Sequence, residues 1–120
     1  MFYQTTLTVS EGAAAATPTE YNVVELGFVP DRIEITNRTK LSTMIWTKNL
    51  EDGHYYLRSE AGTLTKPTTG GPTLIDGSSK QALLGEATLR SFGFYLGKIT
   101  DLTDIAAEVL DITVYREDDI

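Results

Sequence analysis

The chain has 120 residues, 17 acidic against 10 basic side chains, a formal net charge of −7 and no cysteine. A single domain of this length buries about two-thirds of its unfolded surface, so one core is sufficient without covalent staples. The missing cysteine excludes disulfides, thiolate metal sites and cysteine nucleophiles, and basic residues scattered from Arg32 to Arg116 without a cluster speak against nucleic acid as a partner.

The N-terminal run MFYQTTLTVS has no basic region and no continuous apolar stretch, so it is read as a strand and not as a signal peptide. No apolar run approaches the roughly 20 residues of a membrane span. Tyr3, Thr5, Leu7 and Val9 alternate with Gln4, Thr6 and Thr8, the period of a half-buried strand. Residues 11–18 break the pattern and form a loop with at most one helical turn, since the alanine run is too short to stand alone. Strand character resumes over Thr19–Leu26. The adjacent Val23 and Val24 fit a bulge or burial on both faces.

Gly27 to Asn49 predicts a β-hairpin. Gly27-Phe28-Val29-Pro30-Asp31 is a turn in which Pro30 fixes φ and forces its predecessor to be extended. Arg32 to Thr36 alternates with Ile33 and Ile35 inward, Asn37–Lys40 is polar and turn-forming, and Ser42–Lys48 is rich in Thr, Ile and the single Trp. Trp46 shares a face with Met44 and Lys48, opposite Ile45. It therefore belongs either to the core or to an interface, where Trp is enriched. Asp52-Gly53 is a strong turn signal, and Tyr55–Ser59 is a further short strand.

Composition shifts at residues 60–80, where glycine, proline and threonine dominate. A structureless stretch of this length predicts an extended arm or a long loop on a single domain spanning 1–120. Gln81–Leu84 and Leu89–Leu96 read as strands. Gly93 inside the second marks a bulge or a close backbone approach. Residues 99–105 form a loop. The last strand, Glu108–Arg116, turns Leu110, Ile112 and Val114 inward. About seven to eight short antiparallel strands with Gly/Pro turns predict an all-β domain, a β-sandwich or a small barrel.

Sites of chemistry are sparse. His54 is the sole histidine and has no partner at metal-ligand spacing, so a polar turn residue is the simpler reading. Asp101 and Asp104 lie three apart in a loop but lack the further acidic residues of a calcium loop. No GxSxG elbow or phosphate-cradling Gly-Lys-Ser/Thr is present. Asn37-Arg38-Thr39 matches a glycosylation sequon, a pattern short enough to arise by chance. Trp46, Tyr55, Tyr56, Phe92, Phe94 and Tyr95 are read first as core and sheet packing and second as a sugar-stacking face. No enzyme and no cofactor is expected.

One set of residues has a family likeness. Gly27, Phe28, Pro30, Ile33, Ile35 and Asn37, then Ile45-Trp46, then Asp52-Gly53, then Gly93, Phe94, Leu96 and Gly97, and finally Leu110, Ile112 and Arg116 resemble the pattern of small tailed-bacteriophage virion proteins of the head decoration, or cement, type. The likeness covers about two-thirds of the chain by its motif spacing, and residues 60–80 depart from it. It implies a structural protein of the outer capsid surface, a homo-oligomer, often a trimer, that binds the major capsid protein at capsomer junctions. Neither nucleic acid nor membrane is involved. Contact is expected through the N-terminal strand, the 62–77 arm and exposed apolar residues, namely Phe2, Tyr3, Trp46, Leu64, Pro67, Pro72 and Leu74. A tail or baseplate component, including a carbohydrate-binding receptor module, is the alternative.

Overall fold

The structure, a computed structural model, describes residues 2–76 and 92–117. Strands β1 (Phe2–Thr8), β2 (Asn22–Glu25), β3 (Arg32–Asn37), β4 (Thr43–Thr47), β5 (Tyr56–Arg58), β6 (Leu64–Thr65), β7 (Thr73–Ile75), β8 (Gly93–Leu96) and β9 (Val109–Tyr115) are joined by one helical turn, α1 (Glu11–Ala14). They form two antiparallel sheets, ordered β1-β9-β3-β4-β5-β6 and β2-β8-β7. The architecture is a β-sandwich and not a closed barrel, which resolves the alternative left open by the strand pattern. Predicted strand positions at 81–84 and 89–91 lie outside the described residues.

Period-two patterning builds the wide sheet. Ile33 and Ile35 on β3, Met44 and Trp46 on β4, and Leu110, Ile112 and Val114 on β9 all point to one side and are buried. The narrow sheet meets them with Val24, Phe94 and Leu96, and Leu74 packs against the same cluster. Ile99 and Leu102, from the loop before β9, and Val9 close its ends. The adjacent valines of β2 are explained by this arrangement. Val24 enters the main core, while Val23 lies on the opposite face beside Tyr21, Ile75 and Tyr95. The Tyr21 and Tyr95 rings there have centroids 4.5 Å apart.

The expected arm takes a different form. Its described part, residues 60–76, is hydrogen-bonded into both sheets. Leu64 and Thr65 pair with Arg58 and Leu57, and Thr73–Ile75 pair with Gly93–Tyr95. The Tyr55 N–H donates to the Pro67 carbonyl at 3.2 Å and the Gly71 N–H to the Gly53 carbonyl at 3.0 Å. A run of glycine, proline and threonine reads as loop because strands this short leave too few side chains to show a period.

At Gly93 the backbone of β2 leaves no room for a side chain. A Cβ there would lie 2.0 Å from the Val24 carbonyl oxygen, and φ is 158°. The obstacle is backbone inside the sheet and cannot swing aside. Gly93→Ala is expected to destabilise the fold by about 2 kcal/mol or more, the scale of overpacking. Urea denaturation of the variant beside the parent checks this.

Candidate interaction surface

The turn 38–42 and the loop 97–108 meet at one end of the sandwich, and Asn37 joins them. Asn37 ends β3 with its side chain inward and fully buried. Its Oδ1 accepts the N–H groups of Thr39 (2.8 Å) and Lys40 (2.9 Å), the geometry of an Asx turn. Its Nδ2 donates to the Leu102 carbonyl (2.9 Å) and to Glu108 Oε1 (3.1 Å). An amide satisfied on both atoms in the interior stabilises, whereas either atom left alone there would cost about 1–3 kcal/mol. The same burial closes the Asn37-Arg38-Thr39 sequon, because the Nδ2 that would carry a glycan is enclosed.

Around this amide the charges are paired. Lys40 Nζ donates to Asp104 Oδ1 and lies 3.8 Å from Glu108 Oε1. The Ser42 hydroxyl donates to the Asp101 carbonyl, and the Thr103 hydroxyl donates to Gly97 O at 2.9 Å while accepting the Ile99 N–H at 2.7 Å. Burial pushes the Asp104 carboxyl up. The Lys40 hydrogen bond and charge, with backbone hydrogen bonds at Asp101 and Asp104, outweigh it and hold the group below the usual carboxylate range. An open depression of about 780 Å³ lies beside these loops, lined by Thr39, Lys40, Ser42, Ser59, Glu60 and Asp101. Leu41 and Ile105 project from them, exposed.

The other prominent surface is the outer face of the wide sheet. Strand register arranges it in transverse rows: Phe2, Tyr115, Arg32 and Thr47; then Gln4, Thr113, Glu34, Ile45 and Tyr56; then Thr6, Asp111, Thr36, Thr43 and Arg58. The first row is held by ring and charge contacts. Phe2 and Tyr115 have centroids 6.3 Å apart, and the Arg32 guanidinium lies 5.7 Å from the Tyr115 ring. In the third, Thr36 and Thr43 share a hydroxyl hydrogen bond of 3.1 Å. Arg38 makes a bidentate pair with Asp111, both bonds 2.8 Å, whose hydrogen bonds raise the arginine and lower the carboxyl from their ordinary values.

The residues expected at an interface are not gathered on one surface. Phe2 and Tyr3 lie on the end strand β1 and Leu64 on β6, and all three are exposed. Pro67 is half-buried, with its carbonyl used by Tyr55. Pro72 is buried, and Leu74 packs on the core. Trp46 is 7% exposed and belongs to the core, the first of its two alternatives. Of the possible chemical groups, His54 Nε2 lies 3.5 Å from Glu51 Oε2, and its Nδ1 has no hydrogen-bond partner among the described residues. Lys40 takes the Asp104 carboxylate, and Asp101 accepts from the Ser42 hydroxyl through its backbone carbonyl. Among the described residues no group of three or more His, Asp or Glu is placed to hold a metal ion. Comparison with protein families, with curated proteins and with solved structures finds no match.

Sequence reasoning missed the Asn37–Lys40–Asp104–Glu108 set because its two halves, Asn37 with Lys40 and Asp104 with Glu108, are separated by more than sixty positions. The Asn-Arg-Thr-Lys turn after an alternating strand was the available signal for the Asx turn alone. Acid dependence follows from Asp104. A carboxyl whose folded pKa is depressed adds stability above its unfolded value, and that stability is lost as pH falls through the folded value. The parent is expected to lose stability as pH drops below the ordinary carboxylate range, and Asp104→Asn to lose less over the same interval. Denaturation midpoints measured from pH 7 to pH 3 compare them.

Proposed function

We propose that this chain is a non-catalytic structural protein of a tailed-bacteriophage particle, of the head decoration type, which binds the major capsid protein at capsomer junctions on the outer capsid surface. The observation that carries the reading is a six-stranded sheet whose outer face and long end strand, β1, have no covering element among the described residues. Such a sheet offers both a face and a backbone edge to neighbours, and repeated docking on a symmetric lattice adds many weak contacts into firm attachment. The likeness to virion proteins supplies the kind of particle.

Under this reading the matched motif residues serve the domain itself. Gly27 adopts φ 80°, Pro30 is buried, Ile33 and Ile35 fill the core, and Asn37 locks the loop end. Contact with the capsid then falls to exposed residues outside the motif, Phe2, Tyr3 and Leu64 among them. The carbohydrate-binding alternative loses its leading platform, because the Trp46 ring is enclosed.

Heads prepared without the protein and then mixed with it are expected to gain density at capsomer junctions in low-resolution electron-microscopic images and to survive heating longer. Bare junctions at saturating protein, with the added chain folded by circular dichroism, would refute the proposal.

A further inference from the structure

We propose that two copies of this chain associate by antiparallel pairing of their β1 strands, about a two-fold axis at Thr5. Among the described residues the sheet edges differ sharply in how they are protected. β6 has two residues, β7 three, and β2 four with Glu25 among them. β1 has seven, FYQTTLT, with no charge and no proline. Natural sheets usually blunt a free edge with lysine, proline, a bulge or brevity, and β1 has none of the sequence devices. It also carries two of the most exposed aromatic residues, Phe2 at 63% and Tyr3 at 47%.

The register of the pairing follows from the bonds within the chain. The Val9 N–H donates to the Glu108 carbonyl and the Val9 carbonyl accepts from the Ala107 N–H, so Val9 faces β9 with both groups. On the far side of β9, the carbonyls of Val109 and Tyr115 accept from Arg38 and Asp31, so those residues face β3. Alternation then turns Tyr3, Thr5 and Leu7 toward Leu110, Ile112 and Val114, and leaves the N–H and C=O of Phe2, Gln4, Thr6 and Thr8 directed outward.

A two-fold axis at Thr5 uses every outward group. Phe2 meets Thr8 of the second copy and Gln4 meets Thr6, each pair exchanging both backbone bonds. On the inward side the exposed Tyr3 comes opposite the half-buried Leu7 of the second copy, and Thr5 meets Thr5. Aromatic–aliphatic and aromatic–β-branched cross-strand pairs of this kind stabilise sheets. A net charge of −7 opposes self-association over most of the surface. The edge itself is neutral, and the carboxylate opposite Thr6, Asp111, is already paired with Arg38. That combination selects a second copy approaching by this edge.

The chain is tested alone, without particles, so the outcome is independent of the capsid reading. Light scattering or sedimentation at micromolar concentration is expected to give the mass of two chains. Thr6→Pro, which removes only an outward N–H, and Gln4→Lys, which places a charge at the edge without touching the internal ladder, are each expected to halve that mass with the circular dichroism spectrum retained. Thr5→Cys supplies the register test in a chain free of other cysteines. Facing residues in a non-hydrogen-bonded pair have Cα atoms about 4.5 Å apart, within disulfide range, so mild oxidation is expected to link two chains. Thr6→Cys, whose symmetry mate would be about 7–8 Å away, is expected to stay unlinked. A one-chain or three-chain mass for the parent overturns the inference. So does a Gln4→Lys variant that remains paired, or linkage at Thr6→Cys with none at Thr5→Cys.

Discussion

Packing of Val24, Phe94 and Leu96 against the inward rows of β3, β4 and β9 is the contact on which the two sheets depend. The narrow sheet lies on a layer of Ile33, Ile35, Met44, Trp46, Leu110, Ile112 and Val114, and burying side chains of this size contributes about 1.5–3 kcal/mol each. Everything else is positioned by that layer. The two sheets have unequal width, three strands against six, so the layer is richest under the middle of the wide sheet. Burial accordingly fades along β1, where Tyr3 is exposed although it continues the inward row of Val114. The open edge is thus a product of the same asymmetry that makes the core compact.

The polar end of the domain obeys a second rule. Three non-glycine residues with positive φ, Leu41, Asp101 and Ala107, all lie in the loops that surround Asn37. Left-handed backbone costs about 1–2 kcal/mol for such residues, and persists where surrounding bonds over-determine it. Here those bonds are visible: Leu41 N–H to the Asn37 carbonyl, Ala107 N–H to the Val9 carbonyl, and the Ser42 hydroxyl to the Asp101 carbonyl. The Asn37 amide gathers the turn and the loop into one body, so Leu41 and Ile105 are presented from a stiff base and not from mobile tips.

Strands with clean alternation are legible in the sequence alone. Ile33 and Ile35, and Leu110, Ile112 and Val114, face as their spacing dictates, and the close approach at Gly93 follows from a glycine placed inside a strand. Residues 60–76 were not legible, because two- and three-residue strands have no period and their pairing with β5 and β8 is a tertiary fact. Trp46 was ambiguous for a definite reason: β4 has an apolar residue, Ile45, on its outer face, so composition alone gives no inside and no outside. The outer-face rows were hidden too. Arg32, Tyr115 and Phe2 are neighbours through register, and register between distant strands is not written in local pattern.

The place of β9 has a bearing on how the chain comes into being during synthesis. It lies between β1 and β3, and those two strands touch it rather than each other. Residues 2–8 therefore wait for residues 109–115 before they gain a partner, one of the longest loop closures the chain allows. Until β9 has left the ribosome, β1 has an uncharged flank on both sides and no pairing strand among the described residues. The hairpin of β3 and β4 can form early from local contacts, but the wide sheet remains in separate pieces until its penultimate strand in space, made last, draws them together.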